Sequence, residues 1–476
     1  MKPKQLILLL IILVLLGGLI LLKTVHRSRS IEKEVETKLN LVTDPAKVQK
    51  VEFSKDEKNK IELVRQGGDW RIPGLWNAKA DSAKVNHLFD FLSSADGELR
   101  ANNADVLADF NALDKDCFSL VLMDGSKELL HLFLSAKLPE HGGTFMRLKG
   151  SNSIYLLTEN LFNLMGFFGD PKTIEIKADS WADLSFFSID ASKIKLFIAK
   201  QFDQGKEKEI LHLERKAEEA NSGKEERWLL VGEPVPFGVG LEKVYRFFEQ
   251  LKSAYASKLM DPGGNYGFDT LDAEMDVTLL DNSQKAFKVK HVKEKDSEHY
   301  LIQTDDKSIF FIPQNIYHLF QAGPIDFLTA TPISEKVSDW LSLRVKTSSG
   351  ALHFIPETAA DGKIVWKIEG KEGVTDQVKI LDYLNHFEQF SIDHFSKESD
   401  QKNVPKDMGS VWFEIEFKSK ELVRIEMSSE ANPQGFHAAL RQGFPHVFYI
   451  SKSVYDFLNQ PPAAALEEKK PSPAQL

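Results

Sequence analysis

Histidines are the first side chains to consider for chemistry, and two pairs among the thirteen in the chain are candidates for metal binding. His131 precedes His141 by ten residues, and His386 precedes His394 by eight. Zinc sites usually leave only about two to five residues between the members of a ligand pair. Both spacings are therefore untypical of a metal site. We expect these histidines to lie on the surface or on a strand face.

The single cysteine and the carboxylate pairs give no stronger chemical signal. Cys117 borders the apolar strand FSLVLM and has no histidine motif beside it, which favours a buried, unreactive thiol over a nucleophile. Asp305 and Asp306 stand in the sequence TDDKS, where carboxylates stabilise a turn by accepting hydrogen bonds. A glycosidase pair of carboxylates stays open, since nothing in the sequence selects one.

Signatures of known enzyme classes are absent from the sequence. There is no GxxxxGK[ST] phosphate loop, HExxH metal helix, CxxC pair or GxSxG nucleophile elbow. Gly238 and Gly240 precede a predicted helix, but the rest of a dinucleotide fingerprint is missing, and a loop that enters a helix explains both glycines. The sequence therefore names no catalytic, cofactor-binding or metal-binding residue, and we predict a non-catalytic protein.

A long apolar segment near the N-terminus predicts a membrane anchor. Leu6 to Leu22 reads LILLLIILVLLGGLILL, seventeen residues without a polar side chain. A helix rises about 1.5 Å per residue, so this segment with its flanks nearly crosses a hydrocarbon layer of roughly 30 Å. It is longer than the apolar region of a typical signal peptide, and no small-x-small cleavage site follows it. We predict a cytoplasmic tail and retained signal anchor over residues 1–25; a cleaved signal peptide is the alternative.

Charges bear on the orientation of this segment and on possible partners. Lys2 and Lys4 precede it, and Lys23, Arg27 and Arg29 follow it, so the positive-inside rule gives almost a tie. Because the tail is so short, we expect it to stay inside and the body to lie on the extracytoplasmic, periplasmic side of the inner or cytoplasmic membrane. The net charge of −10 comes without a basic block, so we expect no nucleic-acid partner.

Three divergent copies of one unit follow the anchor. Their clearest mark is an apolar strand that leads into a short helix, in YLLTENLFNLM from Tyr155, FFIPQNIYHLF from Phe310 and FYISKSVYDFL from Phe448. A further strand lies upstream of each mark. Before it stands a predicted hairpin, with turns at Asp124-Gly125, Asp281-Asn282 and Lys418 to Lys420.

Each copy also contains one amphipathic helix before its hairpin, with predicted N-caps at Asp81 in the first copy and Thr375 in the third. Apolar residues recur at helical spacing and predict a face packed on a sheet. We expect this face to consist of Val85, Leu88, Phe89 and Leu92, then of Val244, Phe247, Phe248 and Leu251, and in the third copy of Val378, Leu381 and Leu384.

The strand before each helix ends near a tryptophan, Trp70, Trp228 or Trp366, and this recurrence favours a core or sheet-edge role over a ligand platform. We therefore predict α+β domains, each with a mainly antiparallel sheet, one main helix and a short terminal helix. The expected ranges are a linker or stalk at 26–43, repeat domains at 44–168, 169–328 and 329–460, and a disordered tail at 461–476.

Two segments of this layout leave alternatives open. In the linker, Ile31, Val35, Leu39 and Val42 are near helical spacing, so a short helical stalk and a solvated linker are equally compatible with the sequence. The second repeat carries the charged insertion QGKEKEILHLERKAEEANSGKEE, which predicts a solvated loop or a lengthened hairpin.

Several phrases behind the single anchor resemble the bacterial family called domain of unknown function 4340: DPAKVQKVEF, the strand end GGDWRI, the helix KVNHLFDFL and the closing GSNSIYLL. The resemblance is best from Asp44 to Met165 and continues more weakly to about Leu458. No motif of this family is catalytic, so the resemblance implies no site residue. Its members are often encoded beside the permease and auxiliary subunit of a gliding-motility-type ABC transporter, which implies such subunits as partners.

Tandem copies, an anchor and the missing enzyme signatures together predict a membrane-anchored, non-catalytic scaffold or binding protein. We expect an accessory subunit of a membrane complex such as an ABC transporter, attached to the lipid bilayer through Leu6 to Leu22. The alternatives are an envelope hydrolase and a receptor for a small ligand or cell-wall polymer, with a site between domains. Perturbed carboxylates or histidines in a deep pocket favour the first, and an exposed aromatic groove favours the second.

Overall fold

The computed structural model describes residues 37–216, 227–232, 237–294, 297–371, 376–396 and 404–460. Contacts divide the chain into two compact units, the first with Met1–Ser185, Tyr255–Gly264 and Lys307–Phe311, and the second with Phe186–Ala254, Asn265–Asp306 and Ile312–Leu476. The predicted anchor at Leu6 to Leu22 and the predicted tail lie outside the described residues. Within the described ranges, no helix combines the length and the apolar character that a membrane crossing requires.

The first sheet has ten antiparallel strands, in which buried apolar and more exposed polar residues alternate. They are β1 (Thr37–Lys38), β2 (Lys50–Ser54), β3 (Lys60–Gln66), β4 (Asp69–Ile72), β5 (Ala78–Lys79), β6 (Asp96–Ala101), β7 (Cys117–Asp124), β8 (Lys127–Ser135), β9 (Thr144–Leu148) and β10 (Ile154–Leu157). Their order is β1-β6-β10-β9-β8-β7-β2-β3-β4-β5. Helix α1 (Ser82–Ser94) follows β5, and α2 (Leu161–Leu164) follows β10.

The second sheet has eight strands. They are β11 (Ile194–Asp203), β12 (Lys206–Lys216), β13 (Arg227–Leu230), β14 (Lys258–Met260), β15 (Ala273–Leu279), β16 (Gln284–Glu294), β17 (Ser297–Gln303) and β18 (Ile309–Ile312). Six of them run in the order β13-β12-β11-β15-β16-β17, and β18 pairs with β14. Helix α3 (Leu241–Lys252) precedes β14, and α4 (Gln314–Tyr317) follows β18. The charged insertion extends the β11–β12 hairpin as far as Lys216, where the described range ends.

The third sheet also has eight antiparallel strands, in the order β21-β20-β19-β23-β24-β25-β26-β22. They are β19 (Trp340–Thr347), β20 (Gly350–Thr358), β21 (Ile364–Ile368), β22 (His394–Phe395), β23 (Val411–Phe417), β24 (Leu422–Ala431), β25 (Phe436–Arg441) and β26 (Phe448–Ser451). Helix α5 (Gln377–Gln389) precedes β22, and α6 (Lys452–Leu458) follows β26. Three antiparallel sheets with few helices thus confirm the predicted α+β class and fit three sheet domains.

The predicted hairpins and two of the three predicted helix faces are confirmed. Gly125, Asn282 and Lys420 take the positive φ angles that tight turns need. The expected apolar residues of α1 and α3 are all buried, and so are the three tryptophans. Asp81 is the N-cap of α1, because its carboxylate accepts hydrogen bonds from the amides of Ala83 and Lys84.

The predicted buried face of α5 is wrong. Val378 is 78% exposed and Leu381 is 41% exposed, whereas Ile380, Tyr383, Leu384 and Phe387 are buried. The buried residues follow the i, i+3, i+4, i+7 series of one helix face and include two aromatic rings, so they bury more apolar area than the predicted set. The N-cap is Asp376 instead of Thr375, and its carboxylate accepts from the amides of Val378 and Lys379.

Residues outside the predicted range of a repeat also pack with the core of its sheet. The chain joins the first sheet at Thr37, and Leu39 and Val42 pack with its core, so these residues form neither a helical stalk nor a solvated linker. The same core continues through Trp181 and Ala182, beyond the predicted end at residue 168. The core of the third sheet includes Phe237, whose ring lies 4.7 Å from that of Phe444. The first core therefore includes residues after its short terminal helix, and the third core includes a residue from the loop before α3.

Candidate functional site

A serine, a histidine and a glutamate form a hydrogen-bonded chain on the first sheet. Ser119 Oγ lies 2.7 Å from His131 Nε2, and His131 Nδ1 lies 3.2 Å from a carboxylate oxygen of Glu128. The three residues come from the β7–β8 hairpin, and Ser119 alternates with the buried Phe118 and Leu120, so it points away from the helix side of the sheet. A hydroxyl, an imidazole and a carboxylate joined in this order also occur in hydrolase triads.

The electrostatics of this chain are set by Lys149. Its ammonium lies 2.8 Å from the same Glu128 oxygen that faces His131. The hydrogen bond from Lys149, assisted by His131, lowers the pKa of Glu128. Glu128 is therefore an anion over most of the pH range and can orient the imidazole. Ser119 lies on an inner strand, whose backbone amides pair with β2 and β8, so those amides do not form an oxyanion hole.

A second apolar cluster covers part of the same sheet face. It consists of Leu107, Ala112, Cys117, Phe133, Phe145 and Ile154. Burial raises the pKa of Cys117 to about 12, so the predicted buried and unreactive thiol is what the structure contains. The guanidinium of Arg147 lies 4.3 Å from the ring of Phe133 and donates to the carbonyl of Ala112. Because this cluster covers part of the sheet face, a substrate can reach Ser119 only over the part that the cluster leaves open.

A cleft of about 360 Å³ lies in the second repeat, between α3 and the chain that follows α4. Its basic side chains are Lys243, Arg246 and His318, its acidic one is Asp326, and its apolar wall contains Phe247, Leu319 and Phe327. The ammonium of Lys243 donates to the carbonyl of Leu328, and Arg246 pairs with Glu242. The cleft therefore has room for a small anion with an apolar part, although its basic groups already have partners within the protein.

The third repeat carries an apolar edge, which we define as Ile364, Val378 and Leu381. Ile364 is 59% exposed and lies on β21, the outermost strand of the sheet. The side-chain amide of Gln377 makes two hydrogen bonds of 2.8 Å to β21, accepting from the amide of Trp366 and donating to its carbonyl. These bonds tie the start of α5, where Val378 and Leu381 stand exposed, to the edge strand that carries Ile364.

The remaining predicted candidates occupy structural positions. The ring of His386 stacks on Phe457 and that of His394 on Tyr449, so these two histidines belong to different contacts, and His141 is exposed in the turn after β8. Asp305 accepts from the amide of Ala286 and Asp306 from the hydroxyl of Thr304, as turn carboxylates do. In the described part of the chain, no three His, Cys, Asp or Glu residues are placed to hold a metal ion.

The two glycines before α3 lie in a loop that backbone hydrogen bonds join to the chain that follows α4. Gly240 is the N-cap of α3, and its amide donates to the carbonyl of Phe327 at 2.8 Å. The carbonyl of Gly238 accepts from the amide of Thr329 at 2.8 Å. Both glycines therefore serve the entry to the helix, as expected from the missing dinucleotide fingerprint.

Sequence reasoning considered His131 only together with His141 and missed its contact with Ser119. The signal was present in the predicted hairpin, because a turn at Asp124-Gly125 places the two strands in register and sets Ser119 diagonally across from His131. The apolar edge does not follow from the sequence for another reason, because Val378 and Leu381 also fit the helical spacing of a buried face.

Comparison with known proteins finds a match to one protein-family model. The family model of a domain of unknown function (DUF4340) matches residues 70–262, from within β4 to just beyond β14. No curated protein and no solved structure matches the chain. The matched range contains WRI, the end of the phrase GGDWRI, and the helix KVNHLFDFL, on which the family resemblance partly rests. The stretch from residue 70 to residue 262 thus belongs to the DUF4340 domain family.

Proposed function

We propose that this protein is a membrane-anchored, non-catalytic scaffold or binding protein whose third repeat docks a partner protein. The observation that carries the docking role is the apolar edge of Ile364, Val378 and Leu381, which stands exposed on a folded repeat. Covering an apolar side chain of this size is worth roughly 1.5–3 kcal/mol, so a partner that fits the edge gains binding free energy there.

The other two repeats provide an internal comparison. Counted from the lysine at the start of each main helix, Val378 and Leu381 correspond to Ala83 and Asn86 in α1, and to Glu242 and Tyr245 in α3. The first repeat therefore offers a small and a polar side chain at these positions, and the second an acid and a half-buried tyrosine. Only the third repeat has large aliphatic side chains at both, which supports docking by this repeat.

The edge favours docking through side chains over addition of a strand. Gln377 occupies the outward-facing amide and carbonyl of Trp366 at the middle of β21, so an incoming strand would first have to displace it. Side chains of a partner can reach the apolar edge without breaking these bonds. An apolar patch with polar surroundings is the usual form of such a surface.

The proposed partner is a membrane complex such as an ABC transporter, in which the protein is an accessory subunit. The apolar run from Leu6 to Leu22 supports an anchor that confines the protein to the bilayer. Confinement raises the effective concentration of the third repeat toward another membrane protein, so a modest docking surface suffices. The family resemblance supports transporter subunits as the partners.

Affinity co-purification from gently solubilised membranes, followed by mass spectrometry, tests this proposal. We expect the wild-type protein to recover a transporter permease and its ATPase in stoichiometric amounts, and the double variant Val378→Asp/Leu381→Asp to lose them. The matched control is Ala83→Asp/Asn86→Asp, which places the same charges on the corresponding face of α1 and should keep the partners. Recovery of the wild-type protein alone, or equal recovery by the Val378→Asp/Leu381→Asp variant, would refute docking by the edge.

The orientation of the body requires its own test. A fusion of alkaline phosphatase to the C-terminus should be active, because this enzyme folds only outside the cytoplasm, and a fluorescent reporter that matures only in the cytoplasm should stay dark. The reverse pair of results would place the body in the cytoplasm.

A second candidate function, an envelope hydrolase, is favoured by the chain of Ser119, His131 and Glu128. In that function, Ser119 Oγ attacks the carbonyl carbon of an ester or amide while its proton passes to His131 Nε2, and Glu128 holds the imidazole. A fluorophosphonate probe should then label Ser119 in the wild-type protein but not in His131→Ala. If the wild-type protein stays unlabelled, the three side chains are a structural network.

A further inference from the structure

The turn between β4 and β5 carries an exposed tryptophan on a strained backbone. We call Pro73 to Asn77 the tryptophan turn. The amide of Ala78 donates to the carbonyl of Leu75 at 2.9 Å, and Trp76 and Asn77 between them have φ angles of 52° and 57°. Turns of this kind favour Asn and Gly, because positive φ is costly for a bulky side chain. Trp76 is nevertheless 47% exposed, so neither the backbone nor the core of the repeat accounts for a tryptophan at this position.

The tryptophan turn has the composition of a surface that enters a lipid interface. Residues 72–78 read IPGLWNA, without a charged side chain. Arg71 and Lys79 stand directly opposite each other at the base of the turn, where β4 pairs with β5. Their nearest carboxylates, those of Asp69 and Asp183, are 3.9 Å away, so both cations are free to face lipid phosphates as well. Tryptophan favours the boundary between headgroups and acyl chains, and basic side chains beside it attract phosphate.

The same stretch is different in the other two repeats. In repeat 2, the aromatic residue between β13 and α3 is Phe237, which is only 4% exposed. In repeat 3, the sequence between β21 and α5 is EGKEGVTD, which has charges and no aromatic residue. An exposed tryptophan at this place therefore distinguishes the first repeat, which is the repeat that follows the apolar run from Leu6 to Leu22.

The position of the first repeat in the chain allows an edge of its sheet to meet the membrane. Residues 23–36 lie between the apolar run and β1, and a segment of fourteen residues reaches at most about 50 Å. β1 and β5 are the outer strands of the ten-stranded sheet. Neighbouring strands lie about 4.8 Å apart, so the two edges are separated by no more than roughly 43 Å along the sheet. A bilayer that holds the apolar run is therefore within reach of the tryptophan turn.

We propose that the tryptophan turn contacts the surface of the bilayer that holds the anchor, with Trp76 among the lipid headgroups and Arg71 and Lys79 against lipid phosphates. This inference rests on the membrane anchor of the proposed function. Leu75 packs against the core of the first repeat and joins the turn to that core. The contact therefore sets the orientation of the first repeat relative to the lipid surface.

Quenching of a fluorescent label by nitroxide-bearing lipids tests this contact. The full-length protein is reconstituted in vesicles of phosphatidylethanolamine and phosphatidylglycerol, with an environment-sensitive fluorophore on Gly74→Cys. A Cβ at Gly74 meets nothing within 4 Å, and Cys117 is buried, so the label enters one exposed site. We expect the nitroxide lipids to remove a large part of its emission.

Ser126→Cys, labelled in the same way, is the matched control. Ser126 is exposed in the turn between β7 and β8. β2 and β3 lie between β7 and β4, and all these neighbours pair antiparallel, so this turn lies at the end of the sheet opposite to the tryptophan turn. We expect the nitroxide lipids to leave the emission of this label unchanged.

The variant Trp76→Gly separates the membrane contact from the fold. Glycine adopts positive φ without strain, so this substitution keeps the turn. We expect the label at position 74 to lose most of its quenching in Trp76→Gly. Hydrogen exchange of the β4–β5 peptide in detergent micelles should be no faster than in the wild-type protein.

Equal quenching at positions 74 and 126 would overturn the contact, and so would quenching at position 74 that Trp76→Gly leaves intact. Flotation of the vesicles in a density gradient distinguishes this failure from a failure of the proposed function. If the full-length protein does not float with the vesicles, the anchor is missing and both proposals fail. A protein that floats but shows no quenching at position 74 removes only the contact inferred here.

Discussion

The packing of α5 makes a quantitative prediction about two leucines three residues apart. Leu384 is fully buried, so Leu384→Ala removes core contacts and leaves a cavity, at a cost of about 3–5 kcal/mol. Leu381 is 41% exposed, so Leu381→Ala leaves no closed cavity and gives up only part of the transfer free energy, about 1 kcal/mol. Both substitutions replace a leucine by an alanine, so they differ only in whether the helix buries or exposes that leucine.

Local hydrogen exchange is the appropriate assay. A chain of three repeats does not unfold in one step, so a single free energy of unfolding is not defined for it. Each 1.4 kcal/mol is a factor of ten, so in the α5 peptide we expect exchange to accelerate roughly 100- to 4,000-fold in Leu384→Ala and about fivefold in Leu381→Ala. In α1, Leu88→Ala and Asn86→Ala provide the matched buried and exposed pair.

The result that would refute this reasoning is equal acceleration by the two α5 substitutions. The helix would then pack through Val378, Leu381 and Leu384, and the apolar edge would not exist. A large effect of Leu384→Ala with a small one of Leu381→Ala would instead leave the edge free for a partner, as the proposed function requires.

Three other side chains give separate predictions. Because burial raises the pKa of Cys117 to about 12, we expect no alkylation by iodoacetamide in the native protein at mildly alkaline pH and rapid alkylation after denaturation; rapid native labelling would contradict its burial. Gln377→Ala should free the backbone of the edge strand and increase self-association, measured by sedimentation velocity, and an unchanged sedimentation coefficient would show that the edge needs no protection. Burial alone would raise the pKa of Asp407, but hydrogen bonds from Ser428 and Ser429 outweigh it and lower that pKa. Its ionised form therefore contributes stability above the carboxyl pKa of the unfolded chain and loses this contribution as the pH falls through the lowered folded-state pKa. We expect Asp407→Asn to accelerate hydrogen exchange roughly tenfold at neutral pH in the peptide that contains Ser428 and Ser429, with a ratio to the wild-type rate that approaches one on acidification; a pH-independent ratio would contradict this assignment.

Local patterns sufficed to predict the elements of the fold. The turn at Asp124-Gly125 and the alternation around it define a hairpin within a few residues, and the same information repeats in each copy. The faces of α1 and α3 were predictable because each helix has a single apolar stripe. Helix α5 has apolar residues on two sides, and its buried side is decided by contacts with distant strands, such as that of Phe387 with Phe413 at 5.1 Å.

Long-range contacts explain the other differences. Trp181 follows Asp81 by a hundred residues, and no local pattern indicates that its carbonyl accepts from that N-cap. Ser119 and His131 were closer to prediction, because the hairpin register alone brings them together. Local sequence patterns therefore predict the helices and strands. Which residues of different elements contact each other depends on how those elements pack.

The chain between α2 and β11 also determines where this protein can be divided and how it could have grown. A fragment that stops at Phe168 loses Ile174, Ile176 and Trp181 and leaves part of the first core in water. A fragment that ends after Ala182 keeps them. Since the first copy carries the end of its own core on its C-terminal side, gene duplication could append another copy behind Ala182 without opening the first core. Truncations of this protein should respect the same rule.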